Sequence, residues 1–215
     1  MRETRKFIYV FDPLCAWCHV FGEKVIAPLQ EAYGDFAQID IFAGGLYVGD
    51  RVGLLGSIAA NYPQAIAEIE AHAGYEFSDA FKENVLSRLD EFEMNSEHSG
   101  AAFAWLKQHV PERQVEIAHG IQKLFFEEGL SLSDAYSYRE LVEGLGLNFE
   151  PFKAVFYSPE TVNLVRQQYI YAHQLGVRSF PSLIYVHGSK GELLAQGFRE
   201  FLQIDSIMKE NFYRM

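Results

Sequence analysis

The sequence predicts an α/β fold that opens with a βαβ unit, passes through a large all-helical block and closes in the order helix, strand, strand, helix. Three observations predict it. Two short runs rich in β-branched and aromatic residues, Lys6 to Phe11 and Gln38 to Gly45, flank a segment with helical periodicity. Between about residues 52 and 156 no convincing strand pattern occurs, and helical stretches follow one another. From residue 157 onward, β-type runs return, framed by helices.

Each element has a local reason. "KFIYVF" is short and apolar enough for a buried strand, and Asp12-Pro13 breaks it. In "CAWCHVFGEKVIAPLQEAYGD", Phe21, Val25, Leu29 and Tyr33 recur every four positions and share one helix face. Pro28 lies inside that pattern, removes the bond to the Lys24 carbonyl and is expected to kink or split the helix. "QIDIFAGG" reads as the second strand, and the order strand, helix, strand suits a parallel pair. The middle block offers "PQAIAEIEAHAG", "DAFKENVLSRLDEF", "SGAAFAWLKQHV", "ERQVEIAHGIQKLFFEEG" and "DAYSYRELVEGLG" as helices. Ser133-Asp134 marks a cap there, Pro111 precedes a helix, and Gly129, Gly144 and Gly146 fall near helix ends. With no repeat, low-complexity tract or linker, the block is expected to pack onto the rest. "SPETVNLVRQQYIYAHQLG" starts with Ser158 as N-cap and Pro159 and Glu160 in the first turn, and it stops at Gly176. Strands from Ser182 to Val186 and Leu193 to Gln196 then flank a turn at "HGSKGE", and Phe198 to Phe212 closes as a helix.

Length and composition narrow the class. The 215 residues fit one domain, or one domain carrying an insertion, and 49% hydrophobic with 22% charged residues describes an ordinary packed protein. A net charge of -11, with no basic run longer than Arg5-Lys6, argues against nucleic acid and against an anionic membrane surface as partners. No run of about 18 apolar residues predicts a membrane-spanning helix. The start passes from charged residues straight into a strand, without a signal-peptide pattern; taken as the natural start, it predicts a cytoplasmic protein. In that compartment a cysteine pair is more often catalytic, redox-sensing or metal-bound than a structural disulfide.

Cys15 and Cys18 are the only cysteines, and four readings compete for them. Cys15-Ala16-Trp17-Cys18-His19 satisfies the C-x-x-C-H haem tether, yet it follows a buried strand and lacks an export signal. Structural zinc needs about four ligands at set spacing. The chain has no second cysteine pair, and His19, His72, His98, His109, His119, His173 and His187 form no H-x3-5-H pair. A third reading is two inert buried thiols. The fourth is a redox pair, and position favours it. Asp12-Pro13 ends the strand, so Cys15 falls at the N-terminus of the next helix, where free N–H groups and the helix dipole favour a thiolate. Cys18 stands one turn on, within disulfide reach. Cys15 is then the exposed nucleophile and Cys18 the more buried resolving thiol.

"DPLCAWCHVFG" resembles the active-site segment of the DsbA-like thiol-disulfide oxidoreductases, in particular the cytoplasmic FrnE-like branch with its D-P-x-C-x-W-C pattern. "GVRSFPSLIYV", Gly176 to Val186, is similar to the family's cis-proline loop just before a strand. In outline the resemblance spans the whole chain. It implies a thioredoxin-like fold with residues 1–51 and 157–215 as the two parts of one domain and 52–156 as an all-α-helical insertion. It further implies a cis bond before Pro181 and an exposed Phe180 backbone opposite the cysteines, on which a peptide substrate adds as a strand. The implied activity is protein-disulfide oxidoreductase, with isomerase-like exchange, through a Cys15-Cys18 disulfide. No bound cofactor is implied, glutathione or thioredoxin serving as external reductant, and the partners are thiol- or disulfide-containing proteins and peptides.

Neighbouring residues carry paired readings. Trp17 is either a substrate platform or a packing residue on the helical block. His19, four residues after Cys15, is either a cation tuning the thiolate or a solvated or capping histidine. Asp12 is either a proton relay or a turn former. Two readings of other classes stand beside the enzyme: a thioredoxin-fold adaptor whose CxxC senses redox state or is vestigial, and a relative of kappa-type glutathione transferases and isomerases. The latter normally present serine where Cys15 stands and lack the second cysteine.

Overall fold

In the computed structural model, which describes residues 5 to 212, the chain runs β1 (Arg5–Phe11), α1 (Ala16–Phe21), a π turn (Gly22–Ile26), α2 (Ala27–Tyr33) and β2 (Gln38–Ala43). The middle block holds β3 (Gly53–Leu54), α3 (Leu55–Ile58), α4 (Tyr62–Ala73), α5 (Asp79–Phe81), β4 (Glu93–Met94), α6 (Ser96–His109), α7 (Gln114–Phe126), α8 (Arg139–Gly144) and α9 (Phe149–Val155). The chain then completes α10 (Pro159–Gln174), β5 (Ser182–His187), β6 (Lys190–Gln196) and α11 (Phe201–Asn211).

One four-stranded sheet joins the two ends of the chain, in the order β2-β1-β5-β6. β1 pairs parallel with β2 and antiparallel with β5, placing Tyr9 opposite Ile41 on one side and Leu183 on the other. A central strand has neighbours on both edges and cover on both faces, which is why β1 reads as an unbroken apolar run whose last five residues are all buried. Phe7, Tyr9 and Phe11 face the larger core, while Ile8 and Val10 pack with Ala172 and Val177 on the opposite face. The larger core is continuous from β1 through α4, α6 and α7 to α11, so the helical block shares one apolar interior with the sheet. Glycine makes the closest of these contacts possible. A Cβ on Gly100 of α6 would lie 2.7 Å from the Tyr169 hydroxyl and the Val165 side chain of α10.

Several expectations are corrected in detail. The interruption at Pro28 takes the form of a π turn: Ala27 N–H bonds the Gly22 carbonyl, and the proline sits in the first turn of α2, where a missing N–H costs little. The middle block is not wholly helical, because Gly53 and Leu54 pair antiparallel with Met94 and Glu93. Two-residue strands carry too little pattern to register as alternation. "DAFKENVLSRLDEF" is not one regular helix but α5, a π turn (Lys82–Leu86) and a 3-10 turn (Leu89–Glu91). β6 begins at Lys190, so the turn shrinks to Gly188 and Ser189, and the closing helix starts at Phe201.

Candidate active site

Asp12 breaks the strand by giving its side chain to its own turn and to two distant segments. Its carboxylate accepts from Leu14 N (3.0 Å), Leu46 N (2.7 Å) and Ser96 Oγ (3.0 Å), tying the cysteine loop to the end of β2 and to the start of α6. The group is wholly buried, and desolvation raises its pKa in spite of those donors. Asp12 is therefore both the turn former and a buried acid beside the cysteines.

That turn delivers Cys15 as the N-cap of α1. Cys15 N–H bonds the Asp12 carbonyl (3.1 Å), and the Cys15 sulfur accepts from Cys18 N–H (3.3 Å), the role that serine or aspartate usually plays at a cap. Cys15 is only 7% exposed, so the expectation of an open nucleophile is corrected. Cys18 is fully buried, and burial together with the adjacent Cys15 pushes its thiol well up. Both thiols are free. Tyr9 Oη, below them on β1, donates to the Cys18 carbonyl (3.1 Å).

The distant half of the site comes from the loop before β5. The Phe180-Pro181 bond is cis, and the Phe180 carbonyl lies 3.9 Å from Cys15 Sγ across 165 positions of sequence. Pro181 is buried, and its carbonyl accepts from Gly197 N–H (2.7 Å) at the end of β6, which anchors the loop. The Phe180 ring occupies the space a side chain at Gly44 would need, a Cβ there lying 2.0 Å from the ring.

Trp17 is half-buried, with its ring 5.3 Å from Phe198 and edge-to-face with His72 at 5.5 Å, so it packs as well as flanking the cysteines. Both readings of His19 are overturned. Its side chain is fully buried among Tyr75, Phe77 and Phe126, with Nε2 2.8 Å from Tyr75 Oη, and desolvation lowers its pKa to about 3. At neutral pH the ring carries no charge with which to hold a thiolate. Residues the sequence did not single out complete the surroundings: Tyr9, Ser96 and Gly44, and also Tyr47 and Tyr62, whose hydroxyls sense the charge of Cys15 and which burial pushes up, Tyr47 to about 12. The pair of glycines ending β2 was the one signal available for Gly44.

No protein-family model and no curated protein matches the chain. Among solved structures it is similar to a "putative protein disulfide isomerase" from Nitrosomonas europaea, at 22% identity and TM-score 0.81 over 97% of both chains. It is also similar to the cytosolic disulfide reductase DsbM from Pseudomonas aeruginosa, at 19% identity and TM-score 0.74 over 95% of this chain and 98% of that one. A third likeness is to a 2-hydroxychromene-2-carboxylate isomerase, at 14% identity and TM-score 0.65 over 95% and 94%. These likenesses show the fold: the thioredoxin-like sheet with its helical insertion, as in DsbA-like structures.

Proposed function

We propose that the protein is a thiol-disulfide oxidoreductase that passes two electrons between the Cys15-Cys18 pair and a substrate. The observation that carries this reading is the setting of Cys15, a helix cap whose sulfur receives a backbone N–H at 3.3 Å and faces the Phe180 carbonyl at 3.9 Å. In the reducing direction the Cys15 thiolate attacks one sulfur of a substrate disulfide. A Cys15-substrate bond forms, and the other substrate sulfur leaves as a thiolate and takes up a proton. Cys18 then gives up its proton, attacks Cys15 Sγ and closes the internal disulfide, releasing the second substrate thiol. Oxidation of a dithiol runs the same bonds backwards, and isomerisation would follow the first step with attack of a different substrate thiolate on the mixed disulfide, which forms a new substrate disulfide and releases the Cys15 thiolate.

The buried Cys18, its thiol held protonated by desolvation, suits the resolving role, and the buried Asp12 carboxyl, whose charge acts on Cys18, would serve to exchange that proton. A peptide adding as a strand along Phe180 meets backbone groups there and the indole of Trp17 nearby. The cysteine pair is itself the redox group, so the reaction calls on no bound cofactor. Glutathione or thioredoxin would return the electrons, and the DsbM neighbour was solved with glutathione as well as without it. Among the described residues no helix is long and apolar enough to cross a membrane; with an acidic surface and a cytosolic neighbour, we place the reaction on protein or peptide thiols in the cytoplasm. The isomerase neighbour shares the fold but does not favour its own chemistry here, because this chain carries Cys15 at the helix cap and a second cysteine one turn on.

Equilibration in glutathione buffers, with alkylation and mass spectrometry to count thiols, tests the proposal. The expected result is one two-electron transition to a Cys15-Cys18 disulfide, with a potential between about -270 and -120 mV. No such disulfide in any buffer would leave an adaptor.

A further inference from the structure

Among the described residues, metal-ligating side chains converge at one place. His19 and Glu23 stand four residues apart where α1 enters the π turn, and His119, Lys123 and Glu127 recur at the same interval along α7 and its C-cap, so each set shares a helix face. The two sets face each other. A ring nitrogen of His19, a carboxylate oxygen of Glu23 and one of Glu127 lie within 4.8 Å of one another. His119 Nε2 is 4.0 Å from Glu23 Oε1, and its ring stacks on that of His19 at 6.3 Å. The Glu23 and Glu127 carboxylates, within 4.8 Å, repel each other, a repulsion that a cation between them relieves. Tyr75 Oη lies 2.8 Å from His19 Nε2, while Nδ1 of the fully buried His19 has no partner.

We propose that His19, Glu23 and Glu127, with His119 at the rim, bind one divalent transition-metal ion of borderline softness, with Zn2+ as the probe. Mixed imidazole and carboxylate donors suit Zn2+ and its neighbours in the first row, whereas Mg2+ and Ca2+ favour all-oxygen shells. Donors of a tetrahedral Zn2+ at about 2.1 Å stand roughly 3.4 Å apart, so the cluster contracts by about an ångström, within reach of two glutamate rotamers. Burial of His19 fixes one donor, and the glutamates, with side chains 32% and 29% exposed, open the site to solvent. Glu127 caps the C-terminus of α7, where the helix dipole favours a cation. Lys123, 3.1 Å from Glu127 and 43% exposed, neutralises that carboxylate and swings into water when the ion enters. No sequence motif announces the site because its donors come from two helices with a hundred residues between them.

The test is calorimetric titration of Zn2+ into the full chain carrying Cys15→Ser and Cys18→Ser. Thiol binding is thereby removed, and the result is independent of the redox reading. One equivalent should bind, raise the melting temperature and release protons. Glu23→Gln and Glu127→Gln should each weaken binding at least about tenfold, with circular dichroism showing the fold intact, while Glu128→Gln on the exposed neighbouring position leaves it unchanged. Co2+ should give the visible absorption of a low-symmetry nitrogen and oxygen site. Absence of saturable binding, or binding that neither glutamine variant weakens, overturns the proposal.

Discussion

Asp12 shows how much one side chain organises here. Its two carboxylate oxygens satisfy Leu14 N–H, Leu46 N–H and the Ser96 hydroxyl, all in the interior. Asp12→Ala strands those donors and should cost about 2–4 kcal/mol in chemical denaturation, whereas Asp12→Asn, which keeps one acceptor oxygen and loses the buried charge, should cost less than half as much. His19 makes a prediction of pH dependence. Its pKa is lowered to about 3 in the folded chain, while the unfolded chain takes up the proton near 6.5. The stabilisation is thus fully present above about pH 6.5 and is lost as pH falls from there towards 3, by at most about 5 kcal/mol. Asp12, raised by burial, shifts the balance the opposite way as it protonates. Comparing wild type with His19→Phe in chelator-containing buffer isolates the histidine part, and the acid slope should flatten in the variant.

At the level of elements, the close fit of Phe180 over Gly44 is the most exposed to mutation. β2 ends at Ala43, the Gly44 N–H bonds the Phe11 carbonyl (2.7 Å), and the space above Gly44 holds the Phe180 ring. Gly44→Ala should push that ring and the carbonyl facing Cys15 out of place, lowering the rate of disulfide exchange by about ten- to a hundredfold while costing about 1–3 kcal/mol. Stopped-flow thiol exchange and a denaturation curve read the two effects separately. Elements with strong local punctuation were legible in the sequence. Ser158, whose side chain accepts from Thr161 N–H, with Pro159 behind it, starts α10 as expected, and Gly176 follows its end with a φ of +80°. What stayed hidden has no local cause: the β3-β4 ladder is two residues long, and the π turn depends on where α1 and α2 each find their packing.

For the whole molecule, the order of elements was legible because the two apolar ends of the chain announce strands and the middle announces helices, while the sheet order β2-β1-β5-β6 became visible only in the fold. The cysteines were legible from the strand before them. The environment of His19 was not, since Tyr75, Phe77, His119 and Phe126 reach it only through the packing of the helical block. Nor did the sequence disclose that Cys15 is buried to 7% exposure. The proposed division of labour between the two thiols rests on Cys15 capping a helix at 7% exposure while Cys18 is wholly buried. Trapping tests that division most directly: Cys18→Ser and Cys15→Ser chains are mixed with a peptide disulfide and their adducts read by intact mass. The account predicts a stable one-to-one mixed disulfide on Cys15 in the Cys18→Ser chain and none in the Cys15→Ser chain. Equal adducts on both chains, or an adduct on Cys18 alone, would contradict it.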